Sequence, residues 1–127
     1  MILNLLKNSC MAKIIIVDDY RDLQELFKIL LELNNFEVRT AGSANELYNL
    51  LDFYIPDLIL LDVMLGGDAG KDVCKKIKEK YTTLPIILIS ADPKQLIDYE
   101  ECYANDIIEK PFDINTVLEK VNRLLTK

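Results

Sequence analysis

The chain predicts a doubly wound α/β fold, a parallel sheet with helices on both faces. Short apolar runs alternate with helical patterns from Lys13 onward. Three of those runs, Ile14-Ile15-Ile16-Val17, Leu58-Ile59-Leu60-Leu61 and Ile86-Ile87-Leu88-Ile89, are unbroken and end at a polar residue. Unbroken runs of that length suit strands covered on both faces. Phe36-Glu37-Val38-Arg39-Thr40 instead alternates, and Ile107-Ile108 is short and flanked by charge. Those two read as edge strands, each with one side open to water.

Helices are expected between the strands. Leu23, Leu26, Phe27, Leu30 and Leu31 repeat at the spacing of a core-facing stripe. The second helix, with Leu47, Leu50, Leu51 and Tyr54, opens on the capping pattern Ser43-Ala44-Asn45-Glu46. Val73, Ile77 and Tyr81 mark a third. Asp92-Pro93, a capping acid before a proline, starts a fourth with a weak stripe. Ile114, Val117, Leu118, Val121, Leu124 and Leu125 make the last, capped by Asp113. Five strands and five helices in alternation imply right-handed crossovers. With strands 2 and 5 at the edges, the simplest order is 2-1-3-4-5, the flavodoxin-like arrangement. Residues 1–12 read as a leader outside the fold, with Met11 a second plausible start, and residues 13–127 as one domain.

Composition narrows the chemistry. A chain of 127 residues fits one domain, and half of it is apolar. The net charge of -6 disfavours direct nucleic-acid binding, and no apolar run is long enough to cross a membrane. The N-terminus lacks the basic start and long apolar stretch of a secretory signal, so a cytoplasmic location is expected. There is no histidine, which removes Ser-His-Asp or Cys-His catalysis and Cys/His zinc sites. Cys10, Cys74 and Cys102 are too scattered for a disulfide framework or a CxxC metal motif and read as small apolar residues.

The candidate chemistry sits just beyond the carboxyl ends of the strands, where open sheets bind ligands at the reversal of strand order. Strand 1 ends in Asp18-Asp19, strand 3 in Asp62, strand 4 in Ser90 and strand 5 in Lys110-Pro111. Singly, these acids are ordinary caps or turn residues. Together at one edge they are costly, because two carboxylates ~5 Å apart repel by about 3 kcal/mol at an effective dielectric near 20. A cation is therefore expected. Mg²⁺ is the natural choice, with Mn²⁺ able to serve, since it takes oxygen ligands from one or two carboxylates and keeps several waters. Lys110 and Ser90 complete a set able to stabilise a phosphoryl group on Asp62, a carboxylate nucleophile.

Ile16-Val17-Asp18-Asp19, Leu60-Leu61-Asp62-Val63-Met64-Leu65, Ile89-Ser90-Ala91 and Lys110-Pro111-Phe112 resemble the motifs of response-regulator receiver domains of two-component signalling. The likeness covers Lys13 to Lys127. It implies that Asp62 accepts a phosphoryl group from a sensor histidine kinase or phosphotransfer protein, with slow autodephosphorylation on the same residue. Asp19, Asp62 and the carbonyl of Met64 would hold the metal, with Asp18 acting through water. Ser90 and Lys110 would bind phosphoryl oxygens, and the Lys110–Pro111 bond would be cis. A downstream protein target would meet the helix 4–strand 5–helix 5 face, around Tyr99, Tyr103, Ile107 and Lys120.

The chain departs from the family pattern in its output region. Gly66 stands where a proline is usual, Tyr103 where a glycine is common before strand 5, and the stretch between Ser90 and Lys110 is slightly short, so the fourth helix is expected to be short or irregular. Ile107 replaces the aromatic residue that commonly swings inward, so the usual hydroxyl–aromatic switch is not expected. The alternative reading is therefore a receiver-like scaffold that binds partners without phosphorylation. Gly66-Gly67-Asp68-Ala69-Gly70-Lys71 superficially resembles a phosphate-binding loop, but it is one residue short, and Asp72 stands where Ser or Thr should hold magnesium. No G-x-G-x-x-G follows strand 1, which excludes a dinucleotide fold of the usual kind. Tyr20 stands where a dehalogenase-type phosphatase needs its second acid. The lysines of the third helix (Lys71, Lys75, Lys76, Lys78, Lys80) read as a solvated face.

Overall fold

The structure, a computed structural model, describes residues 11–126. The expected leader therefore lies outside the described residues except for Met11 and Ala12. Ala12 already joins the sheet: its carbonyl accepts from Glu37 N at 2.9 Å. Five strands, β1 (Lys13–Val17), β2 (Glu37–Ala41), β3 (Leu58–Asp62), β4 (Ile86–Ser90) and β5 (Asp106–Glu109), form one parallel sheet in the order β2-β1-β3-β4-β5. The predicted order is the observed one, with β2 and β5 at the edges. The unbroken runs are buried throughout because helices cover both sides: Ile15, Val17, Ile59, Leu61, Ile86 and Leu88 face one layer, and Ile14, Ile16, Leu58, Leu60, Ile87 and Ile89 the other. Burying each such side chain contributes about 1.5–3 kcal/mol, so the central strands anchor the fold.

Among the described residues, four α-helices pack on the sheet: α1 (Arg21–Glu32), α2 (Ala44–Leu51), α3 (Gly70–Lys80) and α4 (Ile114–Leu125). Residues of α2 and α3 share one core cluster, and those of α1 and α4 the other, where Phe27 stacks on Phe112 with ring centroids 4.4 Å apart. The expected caps are present, since Ser43 Oγ accepts from Glu46 N and Asp113 Oδ1 from Asn115 N, both at 3.1 Å. The α1 stripe is narrower than the sequence spacing indicates. Phe27 and Leu31 are fully buried, whereas Leu26 is 45% exposed.

The fourth helix is irregular, as the short stretch before Lys110 implies, and it is not an α-helix. Two 3₁₀ turns, Pro93–Leu96 and Tyr99–Cys102, replace it. Asp92 does cap, accepting from Lys94 N at 3.0 Å. Only Leu96 and Cys102 of these turns are buried, too few to hold an α-helix against the sheet. The segment is tied to α3 instead, by a Lys71–Asp98 ion pair at 2.5 Å and by Cys74 Sγ donating to the Cys102 carbonyl at 3.4 Å. It ends at Tyr103, whose φ of 68° is the left-handed conformation a glycine would adopt more easily.

The solvated-face reading of the α3 lysines fails at Lys78. This residue is buried, and its Nζ donates to the Leu84 carbonyl at 2.8 Å and to Asn105 Oδ1 at 3.1 Å. Burial lowers its pKa from the ordinary lysine value. Asn105 Oδ1 also accepts from Ile86 N at 3.0 Å, so Lys78 and Asn105 bind α3 to the starts of β4 and β5. Cys74 and Cys102 are buried free thiols; Cys10 lies outside the described residues.

Candidate functional site

Parallel strands all deliver their carboxyl ends to one edge, so Asp18, Asp62, Ser90 and Lys110 arrive there from four segments. β1 and β3 are hydrogen-bonded neighbours, which sets Asp18 beside Asp62. Asp18 is 2% exposed and Asp62 5% exposed. Lys110 Nζ bridges them, 2.6 Å from Asp62 Oδ2 and 3.2 Å from Asp18 Oδ2. The charge that the converging carboxylates require is thus supplied in part by the chain's own ammonium group. The Lys110–Pro111 peptide bond is cis.

Backbone groups fix the two acids. Tyr20 N donates to Asp18 Oδ1 at 2.9 Å, and Met64 N donates to Asp62 Oδ1 at 2.7 Å. Burial raises the Asp18 pKa above the ordinary aspartate value; the Tyr20 N–H opposes that rise, and neighbouring Asp62 adds to it. Burial alone would lower the Lys110 pKa, but Asp62 and then Asp18 outweigh it and hold the ammonium above the usual lysine value.

The cluster opens to solvent through a concavity of ≈ 350 Å³ whose lining includes Asp18, Asp19, Asp62, Met64, Ala91 and Lys110. Asp19 is exposed at its mouth. Ser90 is 2% exposed at the end of β4; it is Ala91, not Ser90, that lines the opening. The Ser90 hydroxyl accepts from Asp92 N at 3.0 Å. Among the described residues, no three His, Cys, Asp or Glu side chains gather closely enough to hold a metal by themselves. The oxygen-only donors here, Asp19, Asp62 and the Met64 carbonyl, still suit a hard divalent ion that retains several waters.

Residues 14–122 match the sequence model of the response regulator receiver domain. The chain belongs to that family. The receiver is 37% identical over 111 residues to the nisin biosynthesis regulatory protein NisR of Lactococcus lactis subsp. lactis, an alignment covering 86% of this chain and 48% of NisR. It therefore spans about half the length of that relative. A response regulator crystal structure from Chloroflexus aurantiacus J-10-fl superposes with a TM-score of 0.87 at 30% identity, covering 92% of this chain and 99% of the other. The receiver domain of NtrX from Brucella abortus gives a TM-score of 0.85 at 29% identity, with 90% and 98% covered.

The sequence shows Gly70 only as part of a superficial phosphate-loop likeness, and its contact with the Asp62 backbone is not legible there. A Cβ built there would lie 2.3 Å from the Asp62 carbonyl oxygen and 2.7 Å from Val63 Cα, and Gly70 N donates to the Val63 carbonyl at 2.6 Å. The first residue of α3 is pressed against the backbone carrying Asp62, and only glycine fits. The available signal was a glycine directly before a helical stripe, but contact with Asp62 is a tertiary fact. Gly70→Ala is expected to cost about 1–3 kcal/mol by overpacking and to displace the Asp62 backbone, the cost read by urea denaturation.

Proposed function

We propose that this receiver takes a phosphoryl group onto Asp62 in a Mg²⁺-dependent reaction and signals through protein contacts. The observation that carries the proposal is the Lys110 ammonium, 2.6 Å from a nearly buried Asp62 carboxylate at the base of an open, oxygen-lined concavity. An Asp62 oxygen attacks the phosphorus of a phosphohistidine on a kinase or phosphotransfer protein. The new O–P bond forms as the N–P bond breaks, and the imidazole leaves with its electron pair. Lys110, already against Asp62, then pairs with a phosphoryl oxygen. The Ser90 hydroxyl accepts from Asp92 N, which leaves its own hydrogen for another phosphoryl oxygen. Asp19, Asp62 and the Met64 carbonyl would hold Mg²⁺, with Asp18 acting through water, and the ion would supply further neutralisation of the developing charge. Hydrolysis of the acyl phosphate returns the carboxylate slowly, so the chain acts as its own phosphoacceptor and not as an enzyme on other substrates.

Acetyl phosphate with and without Mg²⁺, read by intact mass, tests this reading. One added phosphoryl group that requires the metal is expected, together with a Mg²⁺-induced rise in melting temperature of the unmodified protein. No labelling would favour the phosphorylation-independent scaffold.

The donor protein has a place to dock. Leu23, Leu26, Leu30, Pro111 and Phe112 line an apolar concavity that also borders Lys110, so a partner seated there lies beside Asp62. Leu26→Glu is expected to cut phosphotransfer from the donor protein about tenfold or more by desolvating a charge, while labelling by acetyl phosphate is unchanged. Equal loss from both donors would refute docking at this face. Output is assigned to the opposite side of β5, where the two 3₁₀ turns stand in place of helix 4 and Ile97 and Tyr103 are 78% and 57% exposed. Lys120 of α4 borders that face, its Nζ donating to the Ile107 carbonyl at 2.5 Å.

A further inference from the structure

A third concavity lies away from the Asp62 edge. The C-terminal halves of α2 and α3 run toward the amino ends of the strands, opposite the carboxylate cluster. Between them is a groove of ≈ 290 Å³ with Leu51 and Ile77 in its floor and Tyr48 and Tyr81 as walls. Leu51 and Ile77 are buried, while the two tyrosines are half-exposed. The groove shares Lys80 and Tyr81 with a neighbouring concavity of ≈ 430 Å³ that includes Ile55 and Pro56. The loop following α2 adds Phe53 and Ile55, 76% and 55% exposed.

The rim has a definite charge. Lys76 Nζ stands 5.4 Å from the Tyr48 ring centroid, and Lys80 Nζ 5.3 Å from that of Tyr81. Each wall therefore carries an ammonium group, and the two lysines, four residues apart on one helix, point to the same side. Among the described residues, neither makes a salt bridge; the pairs present involve Lys71, Lys110, Lys120 and Arg123. Asp52 is the one acid lining the groove, and it lies at the α2 side. This basic rim belongs to a chain of net charge -6, so the local sign is opposite to that of the whole molecule.

We infer that the α2–α3 groove docks a segment of a partner protein in which acidic residues flank one aromatic or branched aliphatic side chain. The apolar anchor fills the space between Tyr48 and Tyr81, and the carboxylates meet Lys76 and Lys80, oriented away from Asp52. Other occupants fit less well. A second copy docked through the same face would set lysine against lysine. A nucleic acid would leave the apolar floor unused and face a net-negative protein. The groove is on the α2–α3 side of the sheet, whereas the concavity beside Lys110 is on the α1–α4 side. Both can be occupied at once.

The test uses the full chain and a phage-displayed random dodecapeptide library. Selected peptides are expected to combine acidic residues with an aromatic or aliphatic anchor. Their amide shift perturbations are expected at Leu51, Ile77 and Tyr81, and their affinity should fall with added salt. The double substitution Lys76→Glu and Lys80→Glu should weaken binding about tenfold or more, since attraction becomes repulsion. Lys75→Glu, an exposed α3 lysine outside the groove, should leave it unchanged. Melting curves confirm that the variants fold. Selection of no peptide, selection of peptides without acids, shifts centred elsewhere, or equal binding by the double variant would each overturn the proposal.

Discussion

The variant Asp62→Asn is expected to take up no phosphoryl group under conditions that label the wild-type chain once. The amide is a poor nucleophile and cannot form the acyl phosphate. Its oxygen can still accept the Met64 N–H, which in the native chain meets Asp62 Oδ1 at 2.7 Å, so the loop geometry is retained. Removing the Asp62 charge lessens repulsion with Asp18 but also ends its ion pair with Lys110, which keeps Asp18 as partner at 3.2 Å, so the two effects offset and the melting temperature should change little. The wild-type label should survive acid and be lost in alkali, as an acyl phosphate is. Labelling that persists in Asp62→Asn would place the acceptor elsewhere and remove the basis for the assignment.

Lys110→Met is expected to give the largest change in stability. Methionine keeps much of the side-chain volume but leaves Asp18 and Asp62 facing each other without the ammonium at 3.2 and 2.6 Å. Removing one partner of a buried ion pair costs about 3–5 kcal/mol, and the partial exposure of Lys110 places this case near the lower end. The cost depends on pH. The Asp18 carboxyl is already held above its ordinary pKa by burial, so above that ordinary value the folded state binds more protons than the unfolded state. Stability therefore falls as pH rises through the window between the unfolded and folded pKa values. Without Lys110 the Asp18 pKa rises further, the window widens, and the variant's deficit should grow from acid to neutral pH. In the wild type the Lys110 pKa is raised; its contribution is present below the ordinary lysine pKa and is lost as pH climbs through the raised value. Urea denaturation across the acid-to-neutral range, with and without Mg²⁺, measures the Asp18 effect; the Lys110 loss lies in the alkaline range. Mg²⁺ should restore part of the loss, because it offers a second cation to the same oxygens. A deficit independent of both pH and metal would refute the electrostatic account.

Much of the frame was legible before folding was considered. Ile14–Val17, Leu58–Leu61 and Ile86–Ile89 can be read locally because a strand buried on both faces has no polar position to interrupt it. Phe36–Thr40 reveals its edge position by alternating. The 92–102 segment is legible as short or irregular, but not as two separate 3₁₀ turns. Asp92-Pro93 is a true cap, but a cap starts a helix without sustaining it, and only Leu96 and Cys102 reach the core. Lys78 illustrates the opposite failure. A lysine among lysines reads as solvated, yet it is buried because the Leu84 carbonyl and Asn105 happen to receive its donors.

By itself the sequence determined which side chains reach the carboxyl edge, since strand polarity and the last apolar residue of each run are properties of short contiguous segments. It also determined the sheet order, through the contrast between unbroken and alternating runs. Tertiary structure alone decided that Lys110 neutralises Asp18 and Asp62, residues 92 and 48 positions away along the chain. It alone decided that Gly70 presses on the Asp62 backbone, and that two lysine-capped tyrosines enclose an apolar groove. Those outcomes depend on distances between segments remote in sequence, and such distances exist only once the layers have packed.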